Sequence, residues 1–342
     1  MIHERARAAA AVSLDAFHDV WPRAFPLGEL RQLLGENADA LLAEVLARQV
    51  NAPVWTLVDR GGKRWRTTIG RLAYRVAGGG GPEPEPVFEV PELLHNASLV
   101  IDDIEDAATE RRGGAPAHLS YGVPIALNAA NAAYFRALAV LRGHLDDARR
   151  LRALDMLSEE LFAAHLGQAL DLTFGTWVKL GAKLRTTHYE LLARAKTGAL
   201  VRIAARLGAI AACADARVEG ALATWAGELG VAYQIRDDVD DLALGSSDLE
   251  RGRATYPLLA LLEDESLLPR DEVLVLLDGG DARSAAYLQA LLEDGALSRR
   301  CLDAARAAGR RAIAALETLA PGPSRDALVA LTGQLATGGD GS

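Results

Sequence analysis

Aromatic residues are scarce, at 5% of the chain, and cysteine and methionine occur only twice each. Cys213 and Cys301 lie far apart and outside any CxxC or Cys/His spacing. That excludes a disulfide framework and a zinc site, and it suits a reducing compartment. No apolar run reaches the length of a membrane span before a charged residue interrupts it, so no integral membrane segment is expected. The alanine run Ala8–Ala11 lies between Arg5, Arg7 and Asp15 with no apolar h-region behind it. It reads as the start of a helix in a cytoplasmic protein rather than as a signal peptide. An excess of positive charge is missing too: the net charge is -9, so no nucleic-acid partner is expected. Alternation of apolar and polar residues is also lacking, and no strand is predicted.

What remains is a chain of 342 residues, half of them hydrophobic, rich in Ala, Leu, Arg and Glu. This composition favours an all-α fold. Helices are expected over roughly 28–49, 63–77, 88–109, 123–143, 149–174, 186–212, 216–243 and 270–318. The run from Gly78 to Pro86, four glycines followed by Pro/Glu repeats, is expected to be a non-helical connection. It lacks the GK[ST] of a phosphate loop. Two further loops are expected, at Arg111–Tyr121 and Gly245–Thr255. No solenoid repeat is present. One helical domain over 1–336 with a disordered tail at 337–342 is the economical organisation.

Two acidic clusters stand out. Asp102-Asp103-Ile104-Glu105-Asp106 ends an apolar stretch that begins near Phe88, and Asp237-Asp238-Val239-Asp240-Asp241 ends another. Asp102 and Asp106, like Asp237 and Asp241, are four residues apart and share a helix face, where like charges repel. His95 lies two turns before Asp102 on the same stripe. An isolated DDxxD is most often a solvated helix end. Two copies on apolar helices, with basic residues in the loops, favour a site instead. Oxygen-only donors on two facing helices suit a hard cation such as Mg²⁺, which completes its shell with water and substrate phosphate. The EF-hand pattern, with its central glycine, is absent.

The basic partners are Lys63 and Arg66 in GGKRWR, expected on one face at a helix N-terminus, where an anion is favoured. Arg111 and Arg112 follow the first cluster, Lys196-Thr197-Gly198 interrupts an apolar helix, and Arg253 follows the second cluster.

In this order, GGKRWR, ELLHNASLVIDDIED, RRGGAPAHLSYG, GQALD, AKTGAL and GVAYQIRDDVDD resemble the motif set of the trans-isoprenyl diphosphate synthases. The resemblance spans about residues 55–265 and is nearest the eukaryotic type of geranylgeranyl diphosphate synthase. It implies an all-α bundle around a deep central cavity, a homodimer, and Mg²⁺-dependent condensation of isopentenyl diphosphate with an allylic diphosphate. Carried over by position, Asp102, Asp106 and Asp237 match the metal ligands, with Asp103, Asp238 and Asp241 in support. Lys63, Arg66, His95 and Arg112 match the isopentenyl diphosphate site. Arg111, Lys196, Thr197, Gln234 and Arg253 match the surroundings of the allylic diphosphate, and Gln168 and Asp171 match the GQxxD segment. For product length, the small Ala97 and Ser98 let a chain pass, while Tyr134 and Phe135 match aromatics that close the tunnel. The resemblance therefore implies a geranylgeranyl product.

The sequence departs from the family pattern at Thr67 and Ala115, where prolines are usual, at Arg253 in place of lysine, and at the additional Asp240. A terpene cyclase would need no second diphosphate site, so Lys63, Arg66 and His95 argue for elongation. A non-catalytic partner subunit would be expected to lose its aspartates, and both clusters are intact.

Overall fold

The computed structural model describes residues 14–243, 253–264, 266–278 and 282–337. The Ala8–Ala11 run, most of the Gly245–Thr255 loop and the tail from Gly338 lie outside them. Among the described residues there is no strand; one isolated bridge pairs Arg111 with Gly114. None of the described helices is long and apolar enough to cross a membrane.

The chain runs through α1 (Asp15–Val20), α2 (Leu27–Leu34), α3 (Ala40–Leu46), a π-helical turn (Ala47–Asn51) and α4 (Ala52–Val58). The bundle proper follows: α5 (Trp65–Val76), α6 (Glu85–Glu105), the short α7 (Ala117–Tyr121), α8 (Val123–His144), α9 (Asp147–Lys179), α10 (Thr186–Ala211) and α11 (Ala216–Ala243). Smaller helices complete it: α12 (Tyr256–Glu263), α13 (Arg270–Asp278), α14 (Ala282–Leu292), α15 (Gly295–Glu317) and α16 (Pro323–Thr337).

Helix α10 is the axis. Its buried residues, from Tyr189 through Ala193, Val201, Ile203 and Ala205 to Ile210, face several directions, as expected of a helix surrounded by others. Small residues set how near its neighbours come. A Cβ on Gly230 of α11 would lie 2.4 Å from the Cα of Gly198, and one on Gly167 of α9 would lie 2.5 Å from the nitrogen of Lys196. Both contacts fall beside Lys196 and Thr197, so the two glycines fix the depth at which those side chains emerge. The alanines of α8 (Ala126, Ala129, Ala130, Ala133 and Ala137) are fully buried and let α6 pack closely against it.

The expected elements need four corrections. The helix expected over 28–49 is broken at Gly35, whose φ of 101° ends α2, and Asp39 caps a new start by accepting from Leu42 N at 2.9 Å. The helix expected over 270–318 is three, the last capped by Asp294, which accepts from Ala296 N and Leu297 N. The connection expected over Gly78–Pro86 ends two residues early, at Pro84, and Pro86 falls within α6, because a proline in the first turn loses no helical hydrogen bond. The Arg111–Tyr121 loop contains α7.

Candidate active site

Both acidic motifs sit toward the C-terminal ends of their helices: Asp102 to Glu105 close α6, and Asp237 to Asp241 lie within the last two turns of α11. Carboxylates there face the negative end of the helix dipole as well as each other. The fold supplies cations from elsewhere. Lys196 Nζ on α10 lies 2.5 Å from Asp171 and 3.6 Å from Asp102. Arg253 pairs with both Asp106 and Asp171. Arg111 donates to Asp103 at 2.7 Å and lies 3.5 Å from Asp102. Gln168 donates to Asp102 at 3.0 Å and to Glu105 at 2.6 Å. Burial works against the charge of Lys196, but Asp171 and Asp102 more than offset it, and its pKa is raised.

A cavity of about 620 Å³ opens between these helices. Its polar lining comprises Lys63, Arg66, Glu92, His95 and Arg112 together with Asp102, Arg111, Gln168, Lys196, Thr197, Gln234 and Asp237. Ser98, Leu99, Leu161, Ala164, Leu200, Tyr134 and His165 line it as well. An adjoining space of about 130 Å³ holds Asp106, Asp171, Asp238 and Arg253, and shares Lys196 and Gln234 with the first.

On the Lys63 side, Arg66 is buried, and its backbone nitrogen donates to Glu92 at 3.1 Å. Its guanidinium stacks over Trp65 at 4.7 Å, and its Nε is buried with no partner. A buried, unpaired guanidinium nitrogen beside a cavity is a donor awaiting an acceptor. Burial, followed by Arg66, Arg112 and Arg111, pushes His95 well below the usual imidazole range, so it is neutral at pH 7.

On the opposite side, burial and then Asp241 and Asp240 push Asp237 up to about 6, with Lys63 opposing. The native state thus holds this proton more tightly than the unfolded chain, whose ordinary value is 3.8. By linkage, stability falls as pH rises from about 4 to about 6, and the full penalty applies above that. Asp237→Asn is therefore expected to raise the melting temperature in EDTA at pH 7.5, with the gain disappearing by about pH 4. Scanning fluorimetry at both pH values checks this; equal gains at both would contradict it.

The sequence-predicted residues divide. Lys63, Arg66, His95, Ser98, Asp102, Arg111, Arg112, Tyr134, Gln168, Lys196, Thr197, Gln234 and Asp237 share one cavity. Lys63 lies before α5 rather than on it, because Arg64 at the N-cap adopts a left-handed φ of 44°. Asp103 is fully buried, bound to Arg111 and away from the cavity, so it braces the loop instead of meeting a ligand. Asp238 accepts from Gln234 at 3.0 Å and from Tyr256 N at 2.8 Å, which ties α11 to α12. Asp171 anchors the two cations and does not line the main cavity. Ala97 is buried behind the wall, and Phe135 is 72% exposed on the outside of α8, so Phe135 does not close the tunnel of this chain.

Sequence reading missed Glu92, Trp65, Tyr233 and His165. Glu92 lies three residues before His95, a spacing that marks one helix face and could have revealed it. His165 sits opposite Tyr134, with ring centroids 6.1 Å apart.

Among the described residues, no three His, Cys, Asp or Glu side chains converge on one point at metal-binding range. Asp102 and Asp237 nevertheless line one cavity, and Asp106 lines the space joined to it. This all-oxygen donor set fits a hard cation that takes its remaining ligands from substrate and water.

The sequence profile of the polyprenyl synthetase family matches residues 47–293. The chain belongs to this family. It is accordingly a prenyltransferase, and the family is metal-dependent and uses isoprenyl diphosphate substrates. The geranylgeranyl pyrophosphate synthase of Eremothecium gossypii is 34% identical over 234 residues, 63% of this chain and 69% of that protein. The geranylfarnesyl diphosphate synthase of Aeropyrum pernix is 36% identical over 214 residues, 58% and 66% of the two chains. The crystal structure of the geranylgeranyl pyrophosphate synthetase of Pyrococcus horikoshii superposes with a TM-score of 0.74 at 26% identity, over 94% of this chain and 99% of that one. These relatives do not favour a cyclase.

Proposed function

We propose that this polyprenyl synthetase condenses isopentenyl diphosphate with an allylic diphosphate in the presence of Mg²⁺, giving geranylgeranyl diphosphate. The observation that carries the proposal is the shared mouth of one cavity. Lys63, Arg66, His95 and Arg112, beside Glu92, line the same cavity as Asp102, Lys196, Gln234 and Asp237 and as the apolar Leu99, Leu161, Ala164 and Leu200.

Each set has its task. Lys196 and Gln234 hold the allylic diphosphate, Thr197 keeps Gln234 in place with a 2.6 Å hydrogen bond, and Asp102, Asp106 and Asp237 would hold the metal. When bound, Mg²⁺ adds charge neutralisation on the departing diphosphate. Lys63, Arg66 and Arg112 grip the second diphosphate, and neutral His95 adds a hydrogen bond without adding charge. As the allylic C–O bond breaks, the π bond of isopentenyl diphosphate attacks the cation, and a proton then leaves to the released diphosphate. Leu99, Leu161, Ala164 and Leu200 keep water from the cation. Tyr134 and His165, neighbouring rings in the cavity lining, limit the product.

The test is incubation with Mg²⁺, isopentenyl diphosphate and dimethylallyl, geranyl or farnesyl diphosphate in turn, read by mass spectrometry. A geranylgeranyl diphosphate peak that disappears with EDTA is the expected result. Cyclic hydrocarbons from an allylic diphosphate alone would overturn the proposal.

The assembly proposed is a homodimer through α8 and α9. Leu127 and Phe135 on α8, and Phe162, Leu166 and Leu170 on α9, form stripes exposed by 39–72%. Contiguous apolar stripes of this kind mark a partner-covered face. Light scattering is expected to give twice the chain mass of 36.3 kDa, and Phe162→Glu with Leu166→Glu to halve it. A monomeric wild-type protein would remove the dimer.

A further inference from the structure

The cationic subsite stands on two loops that grip one another. One runs from the end of α4 at Val58 to Arg64, with left-handed backbone at Gly61 (φ 84°) and Arg64 (φ 44°). The other runs from Ala107 to Ala115, left-handed at Ala107 (φ 48°), Arg112 (φ 51°) and Gly113 (φ 73°). Three of these five are non-glycine residues in a region where side chains are strained, so something must hold them there.

Arg60 of the first loop reaches into the second. Its Nη1 donates to the carbonyl of Arg111 and its Nη2 to the carbonyl of Ala115, both at 2.9 Å. Arg112 of the second loop returns the grip. Its Nη1 donates to the carbonyls of Leu57 at 2.9 Å and Gly61 at 2.6 Å, and lies 3.3 Å from Asn96 Oδ1. The fit is close: a Cβ on Gly114 would lie 2.7 Å from Cζ of Arg60, and one on Gly62 would lie 3.4 Å from Nη2 of Arg112. The partners of both arginines are neutral. Arg111, Lys196 and Arg253 are paired with carboxylates, whereas the hydrogen bonds of Arg60 and Arg112 go to amide oxygens.

We propose that Arg60, which does not line the cavity, is a positioning residue that sets affinity for the second diphosphate by clasping the loops that carry Lys63 and Arg112. The proposal rests on the chain-elongation reading. It differs from general structural support because, of the allylic-side residues, only Arg111 lies on a clasped loop, and its guanidinium is fixed by Asp103 instead. Thr197 and Gln234 are held by helices α10 and α11, and Lys196 by Asp171; none has a bond to Arg60.

Arg60→Ala and Arg60→Lys test it. Lysine keeps the charge but, as a single-point donor, cannot span two carbonyls. In steady-state kinetics with Mg²⁺, KM for isopentenyl diphosphate is expected to rise about tenfold in Arg60→Ala and by less in Arg60→Lys. The kcat and the KM for farnesyl diphosphate should stay within about twofold of wild type. An unchanged isopentenyl KM, or equal rises in both KM values, overturns the proposal; if Arg60→Ala does not fold, Arg60→Lys is judged by the same criterion. Calorimetric titration of isopentenyl diphosphate in EDTA separates the two readings. Binding to wild type that weakens about tenfold in the variants supports the clasp even if no elongation occurs. Equal binding to wild type and variants overturns it.

Discussion

Asp102→Ala is expected to lower kcat by about a thousandfold, roughly 4 kcal/mol of transition-state stabilisation, while leaving the fold intact. Asp102 is the meeting point of the allylic side: Lys196 at 3.6 Å, Arg111 at 3.5 Å and Gln168 at 3.0 Å all converge on it. Its removal deletes a carboxylate that faces the cavity and leaves Lys196 to Asp171 alone. On the proposed reading, one of the carboxylates that would hold the metal is then missing, and with it part of the charge neutralisation the metal would supply to the departing diphosphate. The fold does not need Asp102, because it adds negative charge to a helix end already crowded by Asp103, Glu105 and Asp106. Melting temperature in EDTA should therefore stay level or rise. The same substitution should flatten the Mg²⁺ dependence of the residual rate. A kcat within tenfold of wild type would remove Asp102 from the site.

Asp102 was legible because its reasons are local. A four-residue spacing, an apolar run-up and a second copy at Asp237 are properties of adjacent sequence, and the same holds for α11, found over Ala216–Ala243 as expected. Arg253 is a different case. It meets Asp106 across 147 positions, a contact that no periodicity encodes. Helix periodicity shows that Lys63 and Arg66 are near one another, yet it cannot show the left-handed turn at Arg64 that takes Lys63 off the helix. The break at Gly35 was equally hidden, since Leu-rich sequence on both sides keeps a helical pattern. Arg60 escaped notice because its partners are main-chain carbonyls, which every residue has.

Tyr134 and Phe135 show how fine the difference can be, and they carry the second large prediction. Successive residues on a helix point about 100° apart, so at most one of two neighbouring aromatics can face a narrow tunnel. Ala133 precedes the pair and Arg136 follows it, and neither neighbour decides which ring faces inward. In the structure Tyr134 lines the cavity beside His165, and burial, then Glu105 and Asp102, push its phenol up to about 12, so it stays neutral. Phe135 points outward. Tyr134→Ala is accordingly expected to shift the main product from geranylgeranyl diphosphate to at least the next isoprene homologue, with His165→Ala acting in the same direction. Phe135→Ala should leave product length unchanged. Because Tyr134 already borders open volume, its truncation should cost less than the ~3–5 kcal/mol of an aromatic deletion in a closed core. The Aeropyrum pernix relative is named for the longer product, so the fold can accommodate it. Chain length read by mass spectrometry decides: unchanged products from Tyr134→Ala, or longer ones from Phe135→Ala, would place the tunnel's end elsewhere.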